Sequence, residues 1–167
     1  RRLQTEHPYR LREGDEDDDF SRRKEVLLTV ARAFLRLTGL YRRGLANAHQ
    51  VTVREFEVCS AGLPPGLDGF RVLHLSDLHF SRWRTSFTDA YIRALDGVEA
   101  DLCCITGDFR FGHYGPSGHV LTQLPRVLDV LRIRRGCYAV LGNHDLADLA
   151  AGLRPLGVEV LINRGIP

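Results

Sequence analysis

Methionine is absent from the 167 residues, and no CxxC pair and no long apolar run occurs. A natural reading frame normally begins with methionine, so both ends read as cut and the chain is expected to be a fragment of a longer protein. The four cysteines, Cys59, Cys103, Cys104 and Cys137, lack metal-ligand spacing, which argues against a zinc knuckle or a disulfide framework. Three of them fall in apolar runs, as buried free thiols of a reducing compartment would. Charge of one sign is equally lacking: 23 basic against 21 acidic residues leave +2, too little for a nucleic-acid footprint, and no nucleic-acid motif is present. No cleavable signal peptide is recognisable. The expected location is therefore cytoplasmic, or peripheral to an inner membrane. With 44% hydrophobic and 26% charged residues, the chain falls in the soluble globular class and is long enough to bury a core.

What is present is a series of three polar strings, each following an apolar run. Asp77-Leu78-His79 follows Phe70-Arg71-Val72-Leu73-His74-Leu75-Ser76, Gly107-Asp108 follows Asp101-Leu102-Cys103-Cys104-Ile105-Thr106, and Gly142-Asn143-His144-Asp145 follows Gly136-Cys137-Tyr138-Ala139-Val140-Leu141. Short runs without clean alternation fit strands buried on both faces. Between them, 86–98 puts Phe87, Ala90, Tyr91, Ala94 and Leu95 on one helical face, and 120–131 does so with Leu121, Leu124, Val127, Leu128 and Leu131. Pro125 should kink that second helix or mark its start. A further strand is expected over 158–162. Strand and helix alternating in this way define an α/β class with a parallel sheet, whose crossovers bring the strands' carboxyl ends to one rim. Ligands bind at such rims.

The residue types indicate what that rim binds. Asp77 and His79, one residue apart just past a strand end, can turn toward one cation. Asp108 follows a glycine that permits a tight turn, and its two oxygens can bridge two cations. Asn143 offers a neutral oxygen to a second ion. Two carboxylates, an imidazole and an amide, with no thiolate, suit two divalent metal ions drawn from Mn, Fe, Mg or Zn. Two such ions about 3.5 to 4 Å apart clamp phosphoryl oxygens and supply hydroxide for in-line displacement. His144 is left to assist the leaving oxygen, with Asp145 or another carboxylate orienting its ring. Arg110, and less strongly Arg82 and Arg84, lie beside the strings and would grip substrate phosphate, although loop arginines are also commonly just solvated.

In the order Asp-x-His, Gly-Asp, Gly-Asn-His-Asp, the chain resembles the calcineurin-like metallophosphoesterase superfamily over roughly residue 51 to its end. Leu75-Ser76-Asp77-Leu78-His79 and the 62–70 approach look most like a bacterial, membrane-associated branch. The resemblance implies a four-layer α/β/β/α sandwich, only part of it in this chain. It also implies metal roles for Asp77, His79, Asp108 and Asn143 and a catalytic role for His144. The family's further Gly-His and Gly-His-x-His strings do not occur, so weak metal binding and poor turnover are expected. Phe109-Arg110-Phe111 replaces the Val-Asp-Arg-Gly continuation of protein phosphatases. A phosphodiester or pyrophosphate, a nucleotide-linked lipid among them, is thus the expected partner, with a non-catalytic binding or scaffold module as the alternative.

The N-terminal third differs in character. Residues 1–20, with Asp15-Glu16-Asp17-Asp18-Asp19, read as a disordered acidic tail. Residues 21–46 read as a basic amphipathic helix: Leu27, Val30, Ala31, Phe34, Leu37, Tyr41 and Leu45 share one side, and arginines punctuate the other. It is too charged to span a bilayer. It would either lie on an anionic membrane surface or pack on the domain that follows, 47–167. Alternation over 51–58 suggests a strand at the sheet edge. His74 is expected in the core or on a sheet face, and His113 and His119 in a surface loop after Asp108.

Overall fold

The computed structural model describes residues 17–112 and 115–166, with side chains from residue 26 onward. Most of the acidic tail, together with His113 and Tyr114, lies outside the described residues. The chain divides into two units, 1–47 and 48–167.

In the first unit, α1 (Asp17–Leu37) and α2 (Leu40–Ala48) replace the single helix expected over 21–46. The break is local chemistry. Gly39 takes a left-handed φ of 74°, its amide closes on Arg36 O at 3.2 Å, and the Thr38 amide closes on Phe34 O at 3.0 Å. This is the usual glycine stop for a helix. Apolar side chains of α1, among them Leu27, Val30 and Phe34, are exposed. No described helix is long and apolar enough to cross a membrane.

The second unit is built on the parallel sheet that the sequence pattern predicts. Its strands are β1 (Val72–Leu75), β3 (Leu102–Ile105), β5 (Cys137–Ala139) and β6 (Val158–Val160), in that spatial order and all parallel. A short parallel pair, β2 (Glu99–Ala100) with β4 (Arg132–Ile133), lies at the amino ends of β3 and β5. The connections carry α3 (Ser86–Leu95), α4 (Gly118–Leu128) and α5 (Asp148–Leu153). Strand order advances in one direction, so right-handed crossovers stack these helices on one face. The α4 helix runs through Pro125, which sits in its last turn and does not start it.

Burial follows from that arrangement. Leu73, Cys103, Ile105, Cys137, Ala139 and Val158 face the helices and join Val120, Leu124, Val127, Leu149 and Leu153 in the core. The opposite row, His74, Cys104, Tyr138 and Glu159 in register, is half-buried or exposed. The expectation of strands buried on both faces is therefore corrected: among the described residues only one face is covered. Of the thiols, Cys103 and Cys137 are buried, and Cys59 is exposed. A hydrogen bond with its neighbour Cys137, and after it burial, push the Cys103 thiol far above the usual range.

The strand expected over 51–58 is absent; residues 50–60 carry no regular structure. The reason lies in its phase. Val51 and Val53 occupy one parity, whereas Phe56 and Val58 occupy the other, so an extended chain there has no single apolar face to bury. Phe56 and Val58 are exposed.

Candidate metal centre

All three polar strings leave the sheet at its carboxyl rim, and the backbone there is unusual. Asp77, His79 and Asp108 have positive φ of 54°, 42° and 54°, the left-handed region that side chains rarely adopt. Among the described residues just one other non-glycine, Asn163, shares it. Strain of this kind persists where surrounding bonds over-determine it. Here they do: Asp77 N donates to Gly107 O at 3.2 Å, His79 N to Asp108 O at 2.9 Å and Phe80 N to Phe109 O at 2.7 Å. The first two turns are thus stitched to one another.

The third turn is pressed against the second through glycines. A Cβ on Gly107 would come within 2.7 Å of Gly142 Cα, and one on Gly142 would overlap the Asp108 amide and carboxylate. Lacking both, the turns close up. His144 N then donates to Asp108 Oδ1 at 3.0 Å.

The side chains converge accordingly. His79 Nε2 lies 3.7 Å from Asp77 Oδ1 and 3.9 Å from Asp108 Oδ2. Its other nitrogen, Nδ1–H, donates to Arg110 O at 3.1 Å. A carbonyl can only accept, so Nδ1 carries a proton and Nε2 is the nitrogen turned toward the two carboxylates, the one a metal-ligating histidine would offer. One donor atom each from His79, Asp108 and His144 falls within 4.8 Å of the others, and the His79 and His144 rings meet edge to face, centroids 4.9 Å apart. The hard and borderline donors fit a divalent cation. Asn143 is exposed on the same turn, between Gly142 and His144.

Two residues are placed differently from the sequence reading. Asp145 accepts the Gly142 amide at 2.9 Å and the Arg110 amide at 3.3 Å. Its two oxygens brace the turns. Arg110 is fully buried, so its guanidinium presents nothing to a phosphate arriving from solvent. What Arg110 contributes to the site is its backbone, through the carbonyl to His79 and the amide to Asp145. Arg82 and Arg84 are exposed.

Sequence reasoning missed a layer of braces behind the rim. Tyr91 Oη donates to Leu78 O at 2.9 Å, and burial holds its phenol above the ordinary value. His119, expected as a loop residue, belongs to α4 and donates through Nε2–H to Phe80 O at 3.0 Å. Gln123, buried one turn further on, donates to Ser81 O at 3.2 Å and accepts from Thr88 Oγ1 at 2.6 Å. These carbonyls belong to the loop that carries His79. The one sequence signal was a polar Gln123 on the apolar face of its helix.

Fold and site together define an α/β domain with a carboxylate and imidazole cluster at the carboxyl rim of a parallel sheet. The family model for the calcineurin-like phosphoesterase matches residues 70–164, and the chain belongs to that family. It is 31% identical to the bovine (Bos taurus) "Transmembrane protein with metallophosphoesterase domain" over 96% of this chain and 38% of that protein. It is 34% identical to "UDP-2,3-diacylglucosamine pyrophosphatase LpxG" of Chlamydia muridarum (strain MoPn / Nigg) over 48% of this chain and 24% of that protein. The chain therefore spans less than two fifths of the length of these relatives. One is animal and one bacterial, so the bacterial branch suggested by the sequence is not singled out.

Proposed function

We propose that this chain carries the metal-binding half of a divalent-metal-dependent hydrolase acting on a phosphodiester or pyrophosphate. The observation that carries the reading is the meeting of donor atoms from His79, Asp108 and His144 within 4.8 Å of one another, with Asp77 Oδ1 3.7 Å from His79 Nε2 and the His79 ring held by the Arg110 carbonyl. In this reading Asp77, His79, Asp108 and Asn143 hold two divalent ions. Bound divalent ions supply the charge that activates water and neutralises phosphoryl oxygens. His144 remains close enough to join the donor set or to hand a proton to the leaving oxygen, and its backbone amide keeps Asp108 in place. Phe109-Arg110-Phe111 after Gly107-Asp108 supports a small-molecule ester over a phosphoprotein.

Membrane contact through 21–46 belongs to the same proposal, supported by the exposed apolar residues and arginines of α1. The relatives' printed names, a transmembrane protein and a pyrophosphatase of a diacylated sugar nucleotide, favour a lipid-linked substrate. The test is Mn-dependent hydrolysis of an aryl phosphodiester by the longer protein containing this chain, with and without Asp108→Ala. Loss of at least a hundredfold is expected; unchanged turnover would remove the metal mechanism.

A further inference from the structure

The carboxyl rim carries two aromatic side chains that the donor cluster leaves unexplained. Trp83 is 86% exposed and Phe111 68% exposed, although large aromatic rings are on average well buried. Neither sits on a loose loop tip. Phe111 N donates to Phe80 O at 2.9 Å, Phe80 and Arg110 form a parallel bridge, and Trp83 N approaches Ser81 Oγ at 3.3 Å. Gln123 and His119 hold the Ser81 and Phe80 carbonyls from behind. A braced backbone thus presents both rings to solvent, one on each of two bridged loops. The Phe111 ring stands edge-on to His79, centroids 6.3 Å apart, so the exposed surface begins at the donor cluster itself.

Charge identifies the partner. Arg82 and Arg84 flank Trp83, both are exposed, and neither has a carboxylate partner among the described residues. An indole has an apolar body and one N–H, which suits the boundary between water and hydrocarbon. Arginines beside it attract anionic headgroups. An acidic protein would attract the arginines but would give the indole no hydrocarbon to enter. We propose that loop 81–85, with Phe111, is a docking lip for an anionic bilayer surface that sets the donor cluster at headgroup level. The lip is separate from the α1 contact already proposed. It rests on the phosphoesterase reading only for what the surface would deliver, so the test reads docking and not turnover.

Trp83 is the single tryptophan of the 167 residues, so fluorescence of this chain reports on the lip alone. With vesicles of phosphatidylglycerol in phosphatidylcholine, Trp83 emission should shift to shorter wavelength and become shielded from acrylamide, and salt should reverse both effects. Phosphatidylcholine vesicles should do neither. Arg82→Gln with Arg84→Gln should weaken the response about 25-fold, roughly fivefold per arginine. Vesicles that co-float with the chain while Trp83 emission stays unmoved would assign binding to α1 and overturn the lip. An equal shift with neutral vesicles, or with polyglutamate in their place, would overturn the anionic bilayer as its partner. A shift in this chain, with the hydrolysis test above unaffected by Asp108→Ala, would leave the lip standing and remove the enzymatic reading instead.

Discussion

At the scale of the residue, the donor set was legible because each ligand type sits beside a feature of the chain that local chemistry requires. Gly107 could be read as a tight-turn position, and the geometry shows why: Gly142 lies where its Cβ would be, and Asp108 lies where a Cβ on Gly142 would be. The left-handed backbone at Asp77, His79 and Asp108 could not be read, because aspartate and histidine visit that region only now and then and the cross-bonds that hold these three there are tertiary. Nor could the inversion of Arg110, whose adjacency to Asp108 suggested a phosphate contact but whose side chain turned inward. The strain at Asp77 has a measurable consequence. Glycine takes a φ of 54° without steric cost, so Asp77→Gly should stabilise the metal-free protein by about 1 kcal/mol, partly offset by a more flexible unfolded chain. The same change removes a donor. Calorimetry without metal should show a melting temperature raised by about 2 to 4 °C, while a Mn titration should show weakened binding. A lowered melting temperature would mean that the aspartate is not strained.

At the scale of the element, period decided which expectations held. The helical stripes of α3 and α4 and the apolar runs of β1, β3 and β5 appeared within a few residues of their expected bounds, since each buries one continuous face. Residues 51–58 change phase midway and have no such face. Residues 21–46 kept a helical period but were divided by Gly39, whose stop depends on a left-handed φ that periodicity does not register. The α3–α4 layer carries one prediction about the site. Gln123 links Thr88 on α3 to the Ser81 carbonyl on the metal loop. Gln123→Leu fills the space but strands the Thr88 hydroxyl and the Ser81 carbonyl, and an unmet buried polar group costs about 1 to 3 kcal/mol. Urea denaturation should show that loss, and Thr88→Val added to Gln123→Leu should restore part of it. If the two changes instead add fully, the pair is not acting as a unit.

At the scale of the whole molecule, the two rims of the sheet are built oppositely. The amino rim neutralises itself: Arg132 meets Glu99 at 2.8 Å, Arg134 reaches Glu99 at 3.5 Å and Asp101 at 3.6 Å, and Asp101 accepts the Arg71 amide at 2.9 Å. The carboxyl rim gathers Asp77 and Asp108 around a histidine. Acid should therefore act through the amino rim. The Arg71 amide holds the Asp101 carboxyl below its ordinary value, and the Arg132 guanidinium does the same for Glu99. A carboxylate whose value is depressed by folding stabilises the fold fully above its unfolded value, near pH 4. That contribution is lost as pH falls through the lower, folded value, because the unfolded chain then binds more protons. Stability measured from pH 6 to pH 2 should accordingly hold and then decline below about pH 4. Asp101→Asn should flatten the decline, since an amide keeps an acceptor for the Arg71 N–H but has no proton to take up. An undiminished slope in Asp101→Asn would move the acid sensitivity to other carboxylates. Repeating the titration with Asp77→Asn would then show whether the carboxyl rim carries it.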